Sequence, residues 1–541
     1  MLHRCPICGH KHETLVNTFD QEMDEPLTRF LAEEVPGWKG SDGACTRCID
    51  QAGIAIEQEI LSRTGKYEVA AGFQILPIGD RLTADPDLTG KGVTICLIDS
   101  GFDMHPDLIY PENRILKVLD MSTANPSQTS MQPNGQRWHG TMTSVVCAGD
   151  GHLSKGKYKS LAPDAKLVLL RVMNDNGVIT SDSIIRAINW AIHHQKNLNI
   201  RIINLSVYGD EGIQSDRSPI NSAVHRAFQA GIVVVAAAGN DPYAQLNAPA
   251  NSIDVISVGG LNDENSINPL MNTIYHSSYG SVGDMTRKPD LIAPAVWIPA
   301  PILPGTSDHR EAEILFKLAN STDAALPAIL VNEISHTSMP VDLLKQSVSE
   351  VREFVNKRIE EQKLISGHYK HVDGTSFAAP IICSVIAQMI EANPAMDPVT
   401  IREILMVTAR FLPAVDREKQ GWGVVQPKYA TQMAAGKTLS PPAGVTPVID
   451  YKNMKVSFFF YQQEATSVGI TGDFLQWNTE PVPLTKTAKS KNEWSISVPF
   501  QRKGVFKYKF IIDQDKWIAD PRNPYRDLDG YNGFNSKLII Q

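Results

Sequence analysis

The sequence lacks a basic excess: its formal net charge is −8, so the electrostatic footprint of a nucleic-acid binder is missing. It lacks an apolar run that reads as the ~18 residues needed to cross a bilayer. Its start, Met1-Leu2-His3-Arg4-Cys5-Pro6, has no apolar signal core, so a cytoplasmic protein is expected. Tandem repeats, low-complexity tracts and long charge runs are also missing. Cysteine is scarce, at seven in 541 residues, which excludes a disulfide-rich scaffold. What remains is 42% hydrophobic residues, enough for packed cores, in a chain too long for a single ordinary core.

The cysteines are unevenly placed. Cys96, Cys147 and Cys383 lie singly in apolar runs and read as small core residues. Cys5-Pro6-Ile7-Cys8 and Cys45-Thr46-Arg47-Cys48 form two CxxC knuckles. Two such pairs complete a tetrahedral Zn²⁺ shell, so Cys5, Cys8, Cys45 and Cys48 are expected to hold structural zinc. The intervening stretch carries a helical pattern from Glu22 to Glu34, and residues 1–66 read as a zinc-ribbon-like module.

The middle of the chain carries strands and helix entrances of a buried α/β sheet. The continuous apolar runs from Gly92 to Ile98 and from Gly231 to Ala238 read as strands buried on both faces. The first ends in Asp99, the second in Gly239-Asn240. Two further segments, at His139 and at Gly374-Thr375-Ser376, deliver a polar residue to the start of an apolar helix. Pro380 is expected in the first turn of the second helix, where a missing N–H costs little. Ser376 alone could be a helix cap. With His139 as a base of suitable pKa, Asp99 to orient it, and the Asn240 amide beside the Ser376 N–H as oxyanion donors, the set reads as a nucleophilic site.

On Ile98-Asp99-Ser100-Gly101, His105-Pro106-Asp107-Leu108, His139-Gly140-Thr141, Ala238-Gly239-Asn240 and Gly374-Thr375-Ser376, the chain resembles the subtilisin-like serine peptidases. The resemblance implies an α/β fold with a mostly parallel sheet and helices on both faces, over residues 67–438. It implies an endopeptidase with Asp99, His139 and Ser376 as triad, Asn240 in the oxyanion hole, Ser206 and Gly239 lining the cleft, and proteins or peptides as substrates. Asp241 would lie near the specificity pocket and attract a basic side chain, or be a solvated turn acid before Pro242. The loop Asp150 to Lys157 is basic and Gly-rich, so the calcium site many relatives have there is not expected. A long insertion, about 303–369, precedes the nucleophile turn. Within it Leu344, Val348, Val351, Val355 and Ile359 recur at helical spacing and predict one amphipathic helix, in an element that is either a packed excursion or a lid.

The stretch 439–449 has linker composition. Beyond it, residues 450–541 hold short β-rich runs separated by turns, predicting an Ig-like antiparallel β-sandwich. Gly472-Asp473-Phe474-Leu475-Gln476-Trp477-Asn478, Tyr508-Lys509-Phe510, Trp517-Ile518-Ala519-Asp520-Pro521 and Asn535-Ser536 resemble the glycogen-binding domain. That resemblance implies Trp477, Lys509, Trp517 and Asn535 as contacts to glycogen or another α-glucan. A protein-docking role of the sandwich stays open beside it. So does a second reading of the whole chain, as an idle scaffold with a subtilase fold.

Overall fold

The computed structural model describes residues 3–12, 15–16, 25–45, 48–49, 52, 74–124, 127–128, 137–210, 218–282, 286–412, 415–436, 447–450, 453–461, 465–477, 480–486, 493–500, 502, 504–520, 523, 526–529 and 534–540. The expected boundary at 66/67, residues 439–446 of the expected linker, Glu22 to Asp24 of the first helical pattern, and Asn478 and Pro521 lie outside them.

Among the described residues the central sheet contains seven parallel strands. In chain order they are β1 (Thr94–Asp99), β2 (Ile115–Asp120), β3 (Lys166–Arg171), β4 (Ile200–Leu205), β5 (Val233–Ala237), β6 (Val255–Asn262) and β7 (Leu291–Pro294). Their order across the sheet is β2-β3-β1-β4-β5-β6-β7, with β1 in the interior between β3 and β4. Period-two alternation sorts the apolar side chains of β1 to opposite faces. Ile95 and Leu97 join one core with Met142, Phe377 and Ile381, while Cys96 and Ile98 join another with Ile184, Ala187 and Val224.

Four helices matter for the site. They are α1 (Trp138–Ala148), α2 (Ser181–Leu198), α3 (Pro219–Gln229) and α4 (Thr375–Ala392). Helices α1 and α4 cover one face, and α2 and α3 the other. By length and composition α4 could cross a membrane, contrary to the expectation from sequence, but 83% of it is buried in this protein as its central core helix.

The insertion leaves and returns through a two-stranded stem. Strand Ile298–Pro301 pairs antiparallel with Tyr369–Val372, and Pro301 faces Tyr369. Between them lie helices Ser307–Ala319, Leu326–Glu333 and Val348–Glu361, packed on a core of their own that includes Leu315, Leu330, Val351 and Val355. The single amphipathic helix expected here is broken. Val351, Val355 and Ile359 are buried as expected, but Leu344 is 41% exposed in a separate 3₁₀ turn, Val341–Lys345. The helix starts at Ser347 instead, whose hydroxyl accepts from the Glu350 N–H while the Glu350 carboxylate accepts from the Ser347 N–H.

The C-terminal strands form two antiparallel sheets. Val456, Phe458 and Phe460 of one and Ile470, Tyr508, Phe510 and Leu538 of the other enclose a shared core. At the N-terminus, helix Glu25–Glu34 packs Leu27 and Leu31 around the cysteine knuckles.

Candidate active site and ligand sites

Asp99 is the last residue of β1 and is fully buried. Its Oδ1 accepts from the Ser100 N–H at 2.6 Å and lies 2.7 Å from Nδ1 of His139. Its Oδ2 accepts from the Thr143 hydroxyl at 3.0 Å. Thr143 lies four residues after His139 on α1, so both face the strand end together. Gly140 permits the approach, since a Cβ there would fall 2.2 Å from the Gly101 carbonyl oxygen. Burial pulls the His139 pKa down, but the Asp99 charge and hydrogen bond more than offset this and raise it above the usual value. With Nδ1 committed to Asp99, Nε2 is left to exchange a proton with a reacting group.

Ser376 is the second residue of α4, after Gly374, whose φ of +138° suits glycine. The ring of its neighbour Phe377 lies 5.8 Å from that of His139, which sets His139 beside the entrance of α4. The Ser376 hydroxyl donates to the Ser206 carbonyl at 3.5 Å rather than to His139. Pro380 falls in the second turn of α4, not the first. It therefore removes the N–H that would reach the Ser376 carbonyl. The Ser206 hydroxyl replaces that bond, donating to the Ser376 carbonyl at 3.0 Å, and is itself held by Asn204 Nδ2 at 3.0 Å.

Asn240 lies just past the end of β5. Its Oδ1 accepts both the N–H (2.9 Å) and the hydroxyl (3.0 Å) of Thr375. An N–H donor fixes which end of the amide is oxygen, so Nδ2 is the donor end of the Asn240 amide. The Gly239 N–H donates to the Thr375 hydroxyl at 3.1 Å. Asp241 is exposed, and its Oδ1 accepts the Tyr243 N–H at 2.9 Å, the geometry of a turn-capping acid. Thr143 and Thr375 were not singled out from the sequence, although Thr143 at the fourth position after His139 carried a usable signal.

The N-terminal cysteines come together. One Sγ from each of Cys5, Cys8, Cys45 and Cys48 lies within 4.8 Å of the others. Cys5–Cys48 and Cys8–Cys45 are 3.9 and 3.8 Å apart. A tetrahedron of thiolates at ~2.3 Å from zinc has edges of about 3.8 Å, so the set fits that ion. Burial raises the Cys5 thiol, yet the surrounding backbone N–H groups bring it down to about 7; burial raises Cys45 and Cys48.

In the sandwich, the strand Gly504–Ile512 puts Tyr508 and Phe510 into the core, so Lys509 lies on the opposite face. Trp517 pairs with Ile511 and Asn535 is one residue before Ser536, the partner of Tyr508. Lys509, Trp517 and Asn535 therefore share the outer face. Trp517 is 44% exposed, and the Lys509 ammonium pairs with Asp529 at 2.5 Å. Trp477 is half-buried, its indole N–H donating to Asp473 Oδ1 at 2.6 Å.

A parallel sheet covered on both faces, with an acid–imidazole pair, a serine and a carboxamide gathered at its carboxyl ends, defines the class of site. Residues 90–423 match the Subtilase family and residues 442–523 match Carbohydrate-binding module 48 (Isoamylase N-terminal domain). The first match covers more than half of the chain, and the protein belongs to the subtilase family. Its relatives include Serine protease AprX of Bacillus subtilis (strain 168), 30% identical over 329 residues, 59% of this chain and 61% of AprX. Another is Subtilisin NAT of Bacillus subtilis subsp. natto, 30% identical over 224 residues, 40% of this chain and 50% of that one. The chain thus spans less than two thirds of these curated relatives. Among solved structures, S41 Psychrophilic Protease is 21% identical with a TM-score of 0.46, covering 66% of this chain and 99% of its own.

Proposed function

We propose that the protein is a serine endopeptidase that cleaves proteins or peptides through an acyl-enzyme. The observation that carries this reading is the 2.7 Å contact of buried Asp99 with His139, set beside the helix entrance that bears Ser376, in a chain of the subtilase family. His139 Nε2 takes the proton of the Ser376 hydroxyl as its oxygen adds to the scissile carbonyl. The oxyanion is held by Asn240 Nδ2 and the Ser376 N–H. Collapse releases the amine, which takes the proton from His139, and water repeats the sequence to free the acid. Ser206 and Gly239 line the cleft beside Ser376, with Asp241 at its rim.

The flanking modules direct this activity. Cys5, Cys8, Cys45 and Cys48 hold a structural zinc ion, and the free thiols fit a reducing, cytoplasmic setting. Trp477, Lys509, Trp517 and Asn535 form an α-glucan platform on the sandwich, supported by the common face of Lys509, Trp517 and Asn535 and by the exposed Trp517 ring.

A serine-directed fluorophosphonate tests the centre of the proposal. Wild type should be labelled, and Ser376→Ala should lose both label and peptide cleavage; unchanged cleavage by Ser376→Ala would sink the reading. Co-sedimentation with glycogen tests the platform: Trp517→Ala should weaken it, and equal binding by wild type and variant would remove the platform.

A further inference from the structure

The insertion gathers a second set of metal-ligand side chains, separate from the four cysteines and independent of the peptidase reading. His309 and Glu313 lie one turn apart on the helix Ser307–Ala319, and so share one face. His368 comes from the segment that returns to the stem. It is placed by the backbone: its N–H donates to the Ser366 hydroxyl at 3.2 Å, and its carbonyl accepts from the Ile302 N–H at 2.8 Å. Gly367 allows this segment to approach the helix, because a Cβ there would sit 3.2 Å from both Cα and Cγ of Glu313.

The result is a compact donor set. His309 Nε2 lies 3.0 Å from His368 Nδ1, and His309 Nδ1 lies 3.6 Å from Glu313 Oε2. One ligand atom from each of the three residues lies within 4.8 Å of the other two.

A third imidazole borders this region. His105 is fully buried, and its Nε2 has no hydrogen-bond partner. Burial first, and then the neighbouring His368 and His309, hold its pKa down to about 3. The hydroxyl of Tyr369, the residue after His368, donates to Asp107 Oδ2 at 2.5 Å, which packs the His105–Asp107 turn against the same segment. A buried imidazole nitrogen without a partner is costly unless something binds it.

We propose that His309, Glu313 and His368 form a site for a divalent transition-metal ion of the zinc type, distinct from the cysteine cluster. Two neutral imidazoles and one carboxylate are a donor set that suits such ions. The bound ion ties the first helix of the insertion to the strand Tyr369–Val372, which runs directly into the nucleophile turn. Glu313 is 49% exposed, so the ion is open to solvent on one side and exchanges with chelators more readily than an ion enclosed by the cysteines.

The experiment uses the full chain, stripped of metal and titrated with Co²⁺. Thiolate ligands give an intense near-ultraviolet charge-transfer band, whereas a nitrogen–oxygen site gives only weak visible bands. Wild type should take up one more equivalent per chain than the double variant His309→Ala/His368→Ala, with the thiolate band the same in both. Glu313→Gln changes a half-exposed side chain, and should weaken that extra equivalent by about tenfold or more. Equal cobalt uptake by wild type and double variant, all of it with thiolate absorption, would overturn the proposal and leave His309 and His368 as a hydrogen-bonded pair. If the double variant fails to fold, Glu313→Gln decides: undiminished affinity of the extra equivalent overturns the site.

Discussion

Both carboxylate oxygens of Asp99 are already occupied, by His139 and Ser100 on one side and Thr143 on the other. This fixes the His139 tautomer, so Asp99→Asn should keep the fold and lower kcat by about 10⁴, read with a chromogenic peptide. Asn240→Ala should cost about 10²–10³ in kcat, the loss seen when the corresponding donor is removed from subtilisin. On the proposed mechanism the raised His139 pKa sets the acid limb of activity. The neutral base is populated only as pH climbs through that value, so kcat/KM should rise with a midpoint above the ordinary ~6.5. The same shift has a stability consequence of opposite sense. Protonated His139 favours the folded state, so its contribution is full below ~6.5 and is lost as pH rises through the native value. Single positions in the candidate site were legible because each falls at a strand or helix end, where chemistry-bearing residues stand out from apolar runs. Thr375 was not, because its role is to hold Asn240 across the fold, while Thr143 was marked only by its spacing from His139.

At the scale of elements, Pro380 shows what pattern alone misplaces. The apolar run predicts a helix, and one is there, but its start at Thr375 puts the proline a turn deeper than expected. The Ser206 hydroxyl then becomes a structural partner of the Ser376 carbonyl. Ser206→Ala should leave that carbonyl unpaired and cost about 1–3 kcal/mol, measured by urea unfolding. The insertion shows the converse. Its hydrophobic spacing gave the buried face of Val351, Val355 and Ile359, while the Ser347/Glu350 capping box marks the true helix start and was readable in advance. Its separate core and paired stem give a second prediction. Replacing residues 302–368 by a two-residue hairpin turn should leave the central sheet folded, so that the variant keeps a cooperative melting transition by circular dichroism.

Across the whole molecule, the parallel sheet, the cysteine pairs and the antiparallel sandwich could be anticipated because each has its own periodicity or spacing. Contacts between distant segments could not. Lys288, Asp290 and Arg402 form a buried charge cluster, with Asp290 2.6 Å from Lys288 and 2.8 Å from Arg402. Burial would raise the Asp290 pKa, but the two cations hold it below the usual range. Asp290→Ala would strand both cations and should destabilise by about 3–5 kcal/mol in urea unfolding. Because the Asp290 pKa is depressed, its contribution is present above the ordinary carboxylate value and lost as pH falls through the native one. The same long-range order governs timing. The helix that carries Ser376 is also the one that seals a face of the central sheet, against β4, β5, β6 and β7. During synthesis the strand with Asp99 and the helix with His139 emerge first, but neither the core nor the candidate site is complete until the helix with Ser376 docks. Closing that face of the sheet and bringing Ser376 to Asp99 and His139 are therefore one step, so on the proposed mechanism a nascent chain cannot cleave before this helix has docked.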